Sequence, residues 1–174
     1  MNDYLRNFDV SRKEGLRWSR QAAEATAYIH MKNVIHYDIN TNNLLLEDDL
    51  SVKLADFQGT YVDQHGDTFT GFAIENTKSS FPRSIPYRSD EKSDLFALGS
   101  AIYYIMTGHE PFPDLDSIKD EDEITRRFRH GGFPDLEEIL GGQIIRKCWT
   151  LAYKSVDECA EELKALEARS IIET

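Results

Sequence analysis

The chain has 174 residues, of which 40% are hydrophobic and 29% charged, a composition typical of one soluble globular domain with a sizeable core. Its formal net charge is −11 and it has no stripe rich in Lys or Arg, so a nucleic-acid partner is not expected. It also has no signal peptide and no apolar run of about 18 residues, which excludes a membrane span.

The two cysteines, Cys148 and Cys159, are too few for a disulfide scaffold and lack the spacing of a zinc site. We expect them to be buried, reduced thiols, which places the protein in the cytoplasm or the nucleus.

The first predicted helix begins at a capping box. Ser11 and Glu14 fit the pattern S-x-x-E, and apolar residues then recur at helical spacing from Leu16 to Ile29. The pattern predicts that this helix ends near Asn33.

Short extended segments follow the helix. Val34 and Ile35 are predicted to be extended, while residues 44–46 and 52–54 flank a polar turn and are predicted to pair as a hairpin. Residues 59–91 are rich in Gly, Ser, Thr and Asp and show no sustained period, so we expect a long functional loop without regular structure.

The next predicted helix, residues 93–106, is apolar on almost every side, which is typical of a helix buried in the middle of a domain. Gly108 is expected to end it. The acidic run at 114–123 is interpreted as a solvated loop or helix face. Further helices fill the remainder, the clearest at 156–169. The predicted fold is mainly α with a small β-hairpin, in one domain over residues 1–174.

Three polar residues lie in short segments with apolar flanks, which hold a loop against a core. Asp38 and Asn43 lie in HYDINTNN, and Asp56 lies in ADFQGT. Each one alone is more often a turn residue that caps its own backbone. Two acids and an amide brought together without Lys or Arg would require a hard cation, and Mg²⁺ prefers such oxygen ligands. The metal hypothesis therefore depends on all three together.

The same segments resemble the signature motifs of the protein kinase family. HYDINTNNLLL is similar to the catalytic loop H-R-D-L-x-x-x-N and the strand after it, and ADFQG to the D-F-G motif. LFALGSAIYYIMTGHEPF resembles the central buried helix, and IIRKCW a late helix. The resemblance runs from Asp3 almost to the C-terminus, and LFALGSAIY is similar to domains of fungal protein kinases.

The resemblance implies the C-terminal lobe of a kinase domain, with a catalytic loop at 36–43 and an activation segment at 56–83. The N-lobe, with its glycine-rich loop and the Lys that holds the ATP phosphates, would be absent, although the ATP site requires it.

The resemblance also implies a role for each matching residue. Asp38 would orient the substrate hydroxyl and accept its proton. Asn43 and Asp56 would bind the Mg²⁺ ions that bridge the ATP phosphates, and Leu45 would lie under the adenine ring. Asp94 would brace the catalytic loop, and we expect it to be buried and to accept backbone hydrogen bonds from the HYD segment.

Two aromatic rings, His36 and Phe57, would stack in the hydrophobic column of the family. For His36 this is a structural role, the usual one for an imidazole among apolar residues.

Several positions depart from the family pattern. Tyr37 replaces an Arg of kinases that are switched by loop phosphorylation. Asn40 replaces a Lys of Ser/Thr kinases, and Asn42 replaces an Arg of many Tyr kinases. Both Asn residues remove positive charge from the region where the transferred phosphoryl group develops negative charge.

Two other motifs also differ. Gln58 replaces the Gly of D-F-G, and we expect Gly59 to supply the backbone freedom one residue later. Phe81-Pro82-Arg83 replaces A-P-E, and Lys154 lies near the place of its usual Arg partner.

Two functions remain open at this point. The first is a protein kinase of Ser/Thr type that transfers the γ-phosphoryl group of Mg-ATP to a protein once an N-lobe is supplied. The second is a pseudokinase or truncated fragment that acts as a protein-binding module. The retained Asp38, Asn43 and Asp56 favour the kinase. The loss of both loop cations and of the N-lobe favours the pseudokinase or fragment. The isolated chain is expected to be inactive.

Overall fold

The computed structural model describes residues 1–63, 65–71, 76–82 and 90–172. Its elements in chain order are α1 (Asn2–Asn7), α2 (Arg12–His30), β1 (Val34–Ile35), β2 (Leu44–Leu46), β3 (Val52–Leu54), β4 (Thr60–Val62), β5 (Thr68–Thr70), α3 (Glu91–Thr107), α4 (Glu121–Arg129), α5 (Gly142–Trp149) and α6 (Val156–Ile172). The fold is mainly helical with short antiparallel strands, as predicted, and the short helix α1 is an addition to the prediction.

Helix α2 begins at the predicted capping box. The hydroxyl of Ser11 accepts a hydrogen bond from the backbone N–H of Glu14 at 3.2 Å, and the Glu14 carboxylate accepts one from the N–H of Ser11 at 3.3 Å. The apolar face of α2 packs against α3 and α6. Trp18 on that face is fully buried and donates its indole N–H to the carbonyl of Leu50 at 2.8 Å. Helix α2 thus connects the helical core to the β2–β3 turn.

Helix α3 is the central element of the core. All its residues from Ser93 to Ile105 are buried, which confirms the predicted all-round apolar helix. It begins two residues earlier than predicted because Asp90 caps it, and it ends at Gly108 with a left-handed φ of 80°. On its far side, the indole N–H of Trp149 donates to the hydroxyl of Ser100 at 3.0 Å.

The predicted hairpin is confirmed, since β2 and β3 pair antiparallel with Leu44 opposite Leu54. The prediction that residues 59–91 lack regular structure is wrong at its start. Strand β4 pairs antiparallel with both β1 and β5 in a three-stranded sheet. Gly59 allows this pairing, because a Cβ there would collide with the carbonyl oxygen of Ile35. Such short, partly exposed strands carry no usable alternation of polar and apolar residues.

Helices α5 and α6 bring the two cysteines together in the core. Cys148 and Cys159 are free and fully buried, with their Sγ atoms 3.6 Å apart. Burial raises the pKa of the Cys148 thiol, which keeps it protonated and unreactive. Their predicted burial is confirmed. No helix in the described ranges is both long enough and apolar enough to cross a bilayer.

The packing of α3 on α5 can be tested at Gly99. A Cβ at this position would lie 2.7 Å from the Cβ of Cys148 and 3.2 Å from a ring carbon of Trp149. Gly99→Ala is expected to lower the free energy of unfolding by about 1–2 kcal/mol, because overpacking exceeds the gain in helix propensity. Urea denaturation measures the change.

Gly15→Ala in α2 is the matched control, because the one close contact of its added Cβ would be Sδ of the flexible Met106 side chain at 2.9 Å, with the carbonyl oxygen of Ile105 at an ordinary 3.7 Å. We expect this variant to be neutral or stabilised by up to about 1 kcal/mol. Equal destabilisation of both variants would contradict the packing described for Gly99.

The junction of α5 with α6 predicts a pH dependence. Glu162 accepts hydrogen bonds from Lys147 at 2.7 Å and from the Tyr153 hydroxyl at 2.8 Å. Partial burial acts to raise the pKa of Glu162, but these hydrogen bonds outweigh it and lower the pKa. Since the pKa is lower in the folded than in the unfolded state, the carboxylate stabilises the fold above about pH 4.3, and this stabilisation is lost as the pH falls through the folded-state pKa.

Glu162→Gln is therefore expected to cost about 0.5–1 kcal/mol at neutral pH and almost nothing well below about pH 4. Thermal denaturation across pH measures this difference. Glu161→Gln, an exposed neighbour whose ion pair with Lys164 spans 3.6 Å, serves as control and should show little change at any pH. A pH-independent loss in Glu162→Gln would contradict the account.

Candidate active site

Asp94, in the first turn of α3, fixes the backbone of the loop at residues 36–43. Its carboxylate is completely buried. Oδ2 accepts a hydrogen bond from the N–H of His36 at 2.7 Å, and Oδ1 accepts one from the N–H of Tyr37 at 2.8 Å. The predicted brace is thereby confirmed. The structure adds a third partner, because Nε2 of His30 lies 2.9 Å from Oδ2.

The brace explains an unusual backbone conformation. Tyr37 has a φ of 74°, in the left-handed region that costs a residue with a Cβ roughly 1–2 kcal/mol. This turn directs two consecutive N–H groups at one carboxylate, and a buried carboxylate needs such partners. The strain at Tyr37 is thus offset by satisfying Asp94.

Two side-chain amides hold the carboxylate of Asp38. Nδ2 of Asn43 donates to Oδ2 of Asp38 at 2.9 Å and to its carbonyl oxygen at 2.8 Å. Nδ2 of Asn40 donates to Oδ1 of Asp38 at 2.8 Å. Within the described part of the chain, no Lys or Arg donates to this carboxylate. The two amides therefore fix the orientation of the Asp38 carboxylate.

The β2–β3 hairpin places Asp56 next to this pair. The N–H of Ala55 donates to the carbonyl oxygen of Asn43 at 2.9 Å, so Asp56 follows directly after a residue bound to the 36–43 loop. Asp56 has a φ of 63°, and its Oδ1 accepts a hydrogen bond from Nε2 of Gln58 at 2.8 Å. The left-handed residue is therefore Asp56, and the expectation that Gly59 has this role is wrong.

The rings of His36 and Phe57 are in contact, with centroids 5.0 Å apart. Nε2 of the buried His36 lies 2.9 Å from the carbonyl oxygen of Ala55, which fixes the imidazole in the core. Phe57 and Leu45 are 53% and 49% exposed, so both present apolar surface beside the acidic residues.

The donor set suits a hard cation. Asn43 directs its amide nitrogen at Asp38, and no hydrogen bond among the described residues occupies Oδ1 of Asn43 or Oδ2 of Asp56, so both oxygens can act as ligands. Mg²⁺ binds to one or two carboxylates and retains several waters. No group of three His, Cys, Asp or Glu side chains in the described ranges forms a complete metal cage. The residues therefore fit a hydrated Mg²⁺ ion better than a zinc ion.

A comparison with known proteins agrees with this arrangement. The protein kinase domain family matches residues 1–169. The chain belongs to the protein kinase family. It is 29% identical to the RAF proto-oncogene serine/threonine-protein kinase of Xenopus laevis over 160 residues, which are 88% of this chain and 22% of that protein.

Other kinase relatives differ in acceptor class. The chain is 32% identical to the tyrosine-protein kinase ABL2 of Mus musculus over 178 residues, which cover 95% of this chain and 14% of that protein. It is 30% identical to the serine/threonine-protein kinase A-Raf of Mus musculus, with 70% of this chain and 21% of that protein covered. The chain thus spans about a fifth or less of the length of these relatives.

Several contacts in this candidate site were not predicted. The contact between His30 and Asp94 joins residues 64 positions apart, so no local pattern indicates it. The hydrogen bond from Gln58 to Asp56 was also missed, because Gln58 was interpreted only as a departure from D-F-G. The hydrogen bond between Asn40 and Asp38 could have been anticipated, because Asn two residues after an Asp commonly closes a turn. Arg83, predicted to replace the acid of A-P-E, lies outside the described residues.

The brace can be tested by Asp94→Asn. An amide nitrogen in place of one oxygen would face a backbone N–H, and the free energy of unfolding should fall by roughly 3 kcal/mol. Glu91→Gln, an exposed residue in the same helical turn, is the control and should change stability little. Equal effects of the two substitutions in urea denaturation would show that Asp94 is not a brace.

Proposed function

We propose that this chain supplies the C-terminal lobe of a protein kinase active site, with its catalytic loop at 36–43 and an activation segment at 56–83. The reaction is transfer of the γ-phosphoryl group of ATP to a Ser or Thr hydroxyl of a protein. The observation that carries the proposal is the carboxylate of Asp38, which Asn43 orients beside the hairpin that bears Asp56. The lobe that grips ATP comes from outside these residues.

Asp38 orients the substrate hydroxyl and accepts its proton. Both carboxylate oxygens already accept amide hydrogen bonds, so the group is pre-organised and does not reorient when substrate arrives. Each oxygen retains lone-pair capacity for one further donor. The substrate hydroxyl takes that place and is directed at the phosphorus.

Asn43 and Asp56 would hold a magnesium ion with Oδ1 and Oδ2 respectively. When bound, Mg²⁺ neutralises charge on the ATP phosphates. The exposed Leu45 would offer apolar surface to the adenine ring. Asn43 directly precedes β2 and Asp56 follows β3, so the pairing of these strands holds the two segments together.

The assignment to Ser/Thr acceptors draws on the two Raf relatives, which are serine/threonine kinases by name. The ABL2 relative is a tyrosine kinase, and its similarity is the reason to test both acceptors.

A second candidate is a pseudokinase that binds a protein partner. The observation in its favour is Asn40, which occupies the position of a phosphate-stabilising Lys and instead donates its amide to Asp38. Loss of one well-placed charge costs on the order of 3 kcal/mol of transition-state stabilisation.

Metal binding tests the site without need of catalysis. Mn²⁺ in place of Mg²⁺ can be followed by electron paramagnetic resonance of the 174-residue chain. Asp56→Asn and Asn43→Ala should each weaken binding at least about tenfold. Asp48→Asn, an exposed acid in the β2–β3 turn, should leave binding unchanged. Equal affinity in all four proteins would refute the metal site.

Phosphoryl transfer separates the two candidates. The isolated chain should transfer no label from radiolabelled ATP to an acceptor protein. The same chain fused behind the ATP-gripping lobe of a Raf relative should transfer it weakly, and Asp38→Asn should abolish that transfer. Asn40→Lys should raise the rate of the fusion about tenfold or more by restoring the cation. A fusion that binds ATP but stays inactive with Lys at position 40 would favour the pseudokinase.

A further inference from the structure

A cleft opens beside the proposed catalytic base. One wall is the loop with Asn40 and Asn42, and the other walls are the 76–79 turn, the middle of α3 and Glu110. Asn40 belongs both to this cleft and to the amide pair that holds Asp38. A substrate segment that presents its hydroxyl to Asp38 therefore places neighbouring side chains in the cleft.

The cleft contains one ion pair whose two members differ sharply in burial. Nζ of Lys78 lies 3.5 Å from Oε2 of Glu110, and the Lys78 side chain is only 7% exposed whereas that of Glu110 is 40% exposed. The second Glu110 oxygen accepts a bond from Nδ2 of Asn76, also at 3.5 Å. Both contacts of Glu110 are at the long end of the range for such bonds.

This asymmetry determines which charge can be replaced. A buried ammonium group that loses its partner is strongly destabilised, so Lys78 must always face an anion. Once another anion faces Lys78, Glu110 can turn into water at a lower cost than Lys78 could, because its side chain is already 40% exposed. An incoming anion can therefore take the place of Glu110, whereas an incoming cation would compete with Lys78 for its partner.

We propose that this cleft is a substrate subsite for an anionic side chain, a carboxylate or a phosphate, that takes the place of Glu110 at Lys78. The inference rests on the proposed kinase function, because it identifies the cleft with the region beside the acceptor hydroxyl. The side-chain amide of Asn42 supplies a further donor in the cleft, whereas the Asn40 amide and the Tyr104 hydroxyl already donate to Asp38 and Asn2. The subsite selects acidic or already phosphorylated substrates even though the chain carries a net charge of −11.

Peptide binding to the 174-residue chain tests the subsite, with fluorescence anisotropy as the readout. Four labelled peptides share one Ser and carry Asp, phosphoserine, Ala or Lys at the flanking positions. The Asp and phosphoserine peptides should bind at least about fivefold more tightly than the Ala peptide, and the Lys peptide more weakly. The two anionic peptides distinguish a carboxylate from a phosphate ligand. The preference should diminish as salt is raised.

Substitutions at the ion pair locate the effect. Lys78→Met should abolish the preference for anionic peptides, and Glu110→Gln should strengthen it because the competing carboxylate is gone. Lys164→Met removes the same charge from an exposed site on α6 and should retain the preference. Circular dichroism verifies folding of each variant. If either single variant does not fold, the double variant Lys78→Met/Glu110→Gln removes both charges together, and an anion preference retained in that variant overturns the proposal.

Equal binding of the anionic and Ala peptides, tighter binding of the Lys peptide, or an anion preference that persists in folded Lys78→Met would each overturn the subsite. The Mn²⁺ titration separates this result from failure of the proposed function. If the chain binds Mn²⁺ but shows no preference for anionic peptides, only the proposal for the cleft is rejected. Anion preference without metal binding at Asn43 and Asp56 rejects the kinase site and leaves the anion cleft in place.

Discussion

The buried carboxylate of Asp94 is the constraint on which the rest of the site depends. It lies in the apolar centre of the fold, where an unpaired charge could not remain. Its partners are two consecutive N–H groups of the 36–43 loop and the ring of His30 at the end of α2. Helix α3 therefore cannot pack in the core unless the loop takes one conformation, and that conformation carries Asp38 to the surface.

Neutral side-chain amides donate hydrogen bonds to the acidic groups of the site. Lys or Arg side chains would otherwise be expected in these positions. Asn40 and Asn43 donate to Asp38, and Gln58 donates to Asp56. Hydrogen bonds of this kind fix orientation but leave the negative charge in place. In the proposed function such a site would depend on a divalent cation, because it offers the ATP phosphates no Lys or Arg among the residues that hold Asp38 and Asp56. The proposed phosphoryl transfer is consequently dependent on metal and slow.

The sequence predicts well those features of the fold that depend on residues close together in the chain. The capping box at Ser11, the all-apolar helix and its end at Gly108 are decided by neighbouring residues, and the motif resemblance places Asp94. Features that arise from distant contacts have no such local signal. The β1–β4 pairing depends on the close backbone approach at Gly59, and the Lys78–Glu110 ion pair joins residues 32 positions apart. The stability of such contacts depends on how deeply the residues are buried. Composition and hydrophobic periodicity do not predict the burial of a single polar residue.

The central claim is that Asp38, Asn43 and Asp56 form one metal-dependent site. Anomalous diffraction from crystals of this chain grown with Mn²⁺ and ADP tests it most directly, because Mn²⁺ accepts the same oxygen ligands as Mg²⁺. The account predicts an anomalous peak about 2.1–2.2 Å from Oδ1 of Asn43 and from a carboxylate oxygen of Asp56. A peak confined to the acidic run at 114–123, with none at the hairpin, would contradict it.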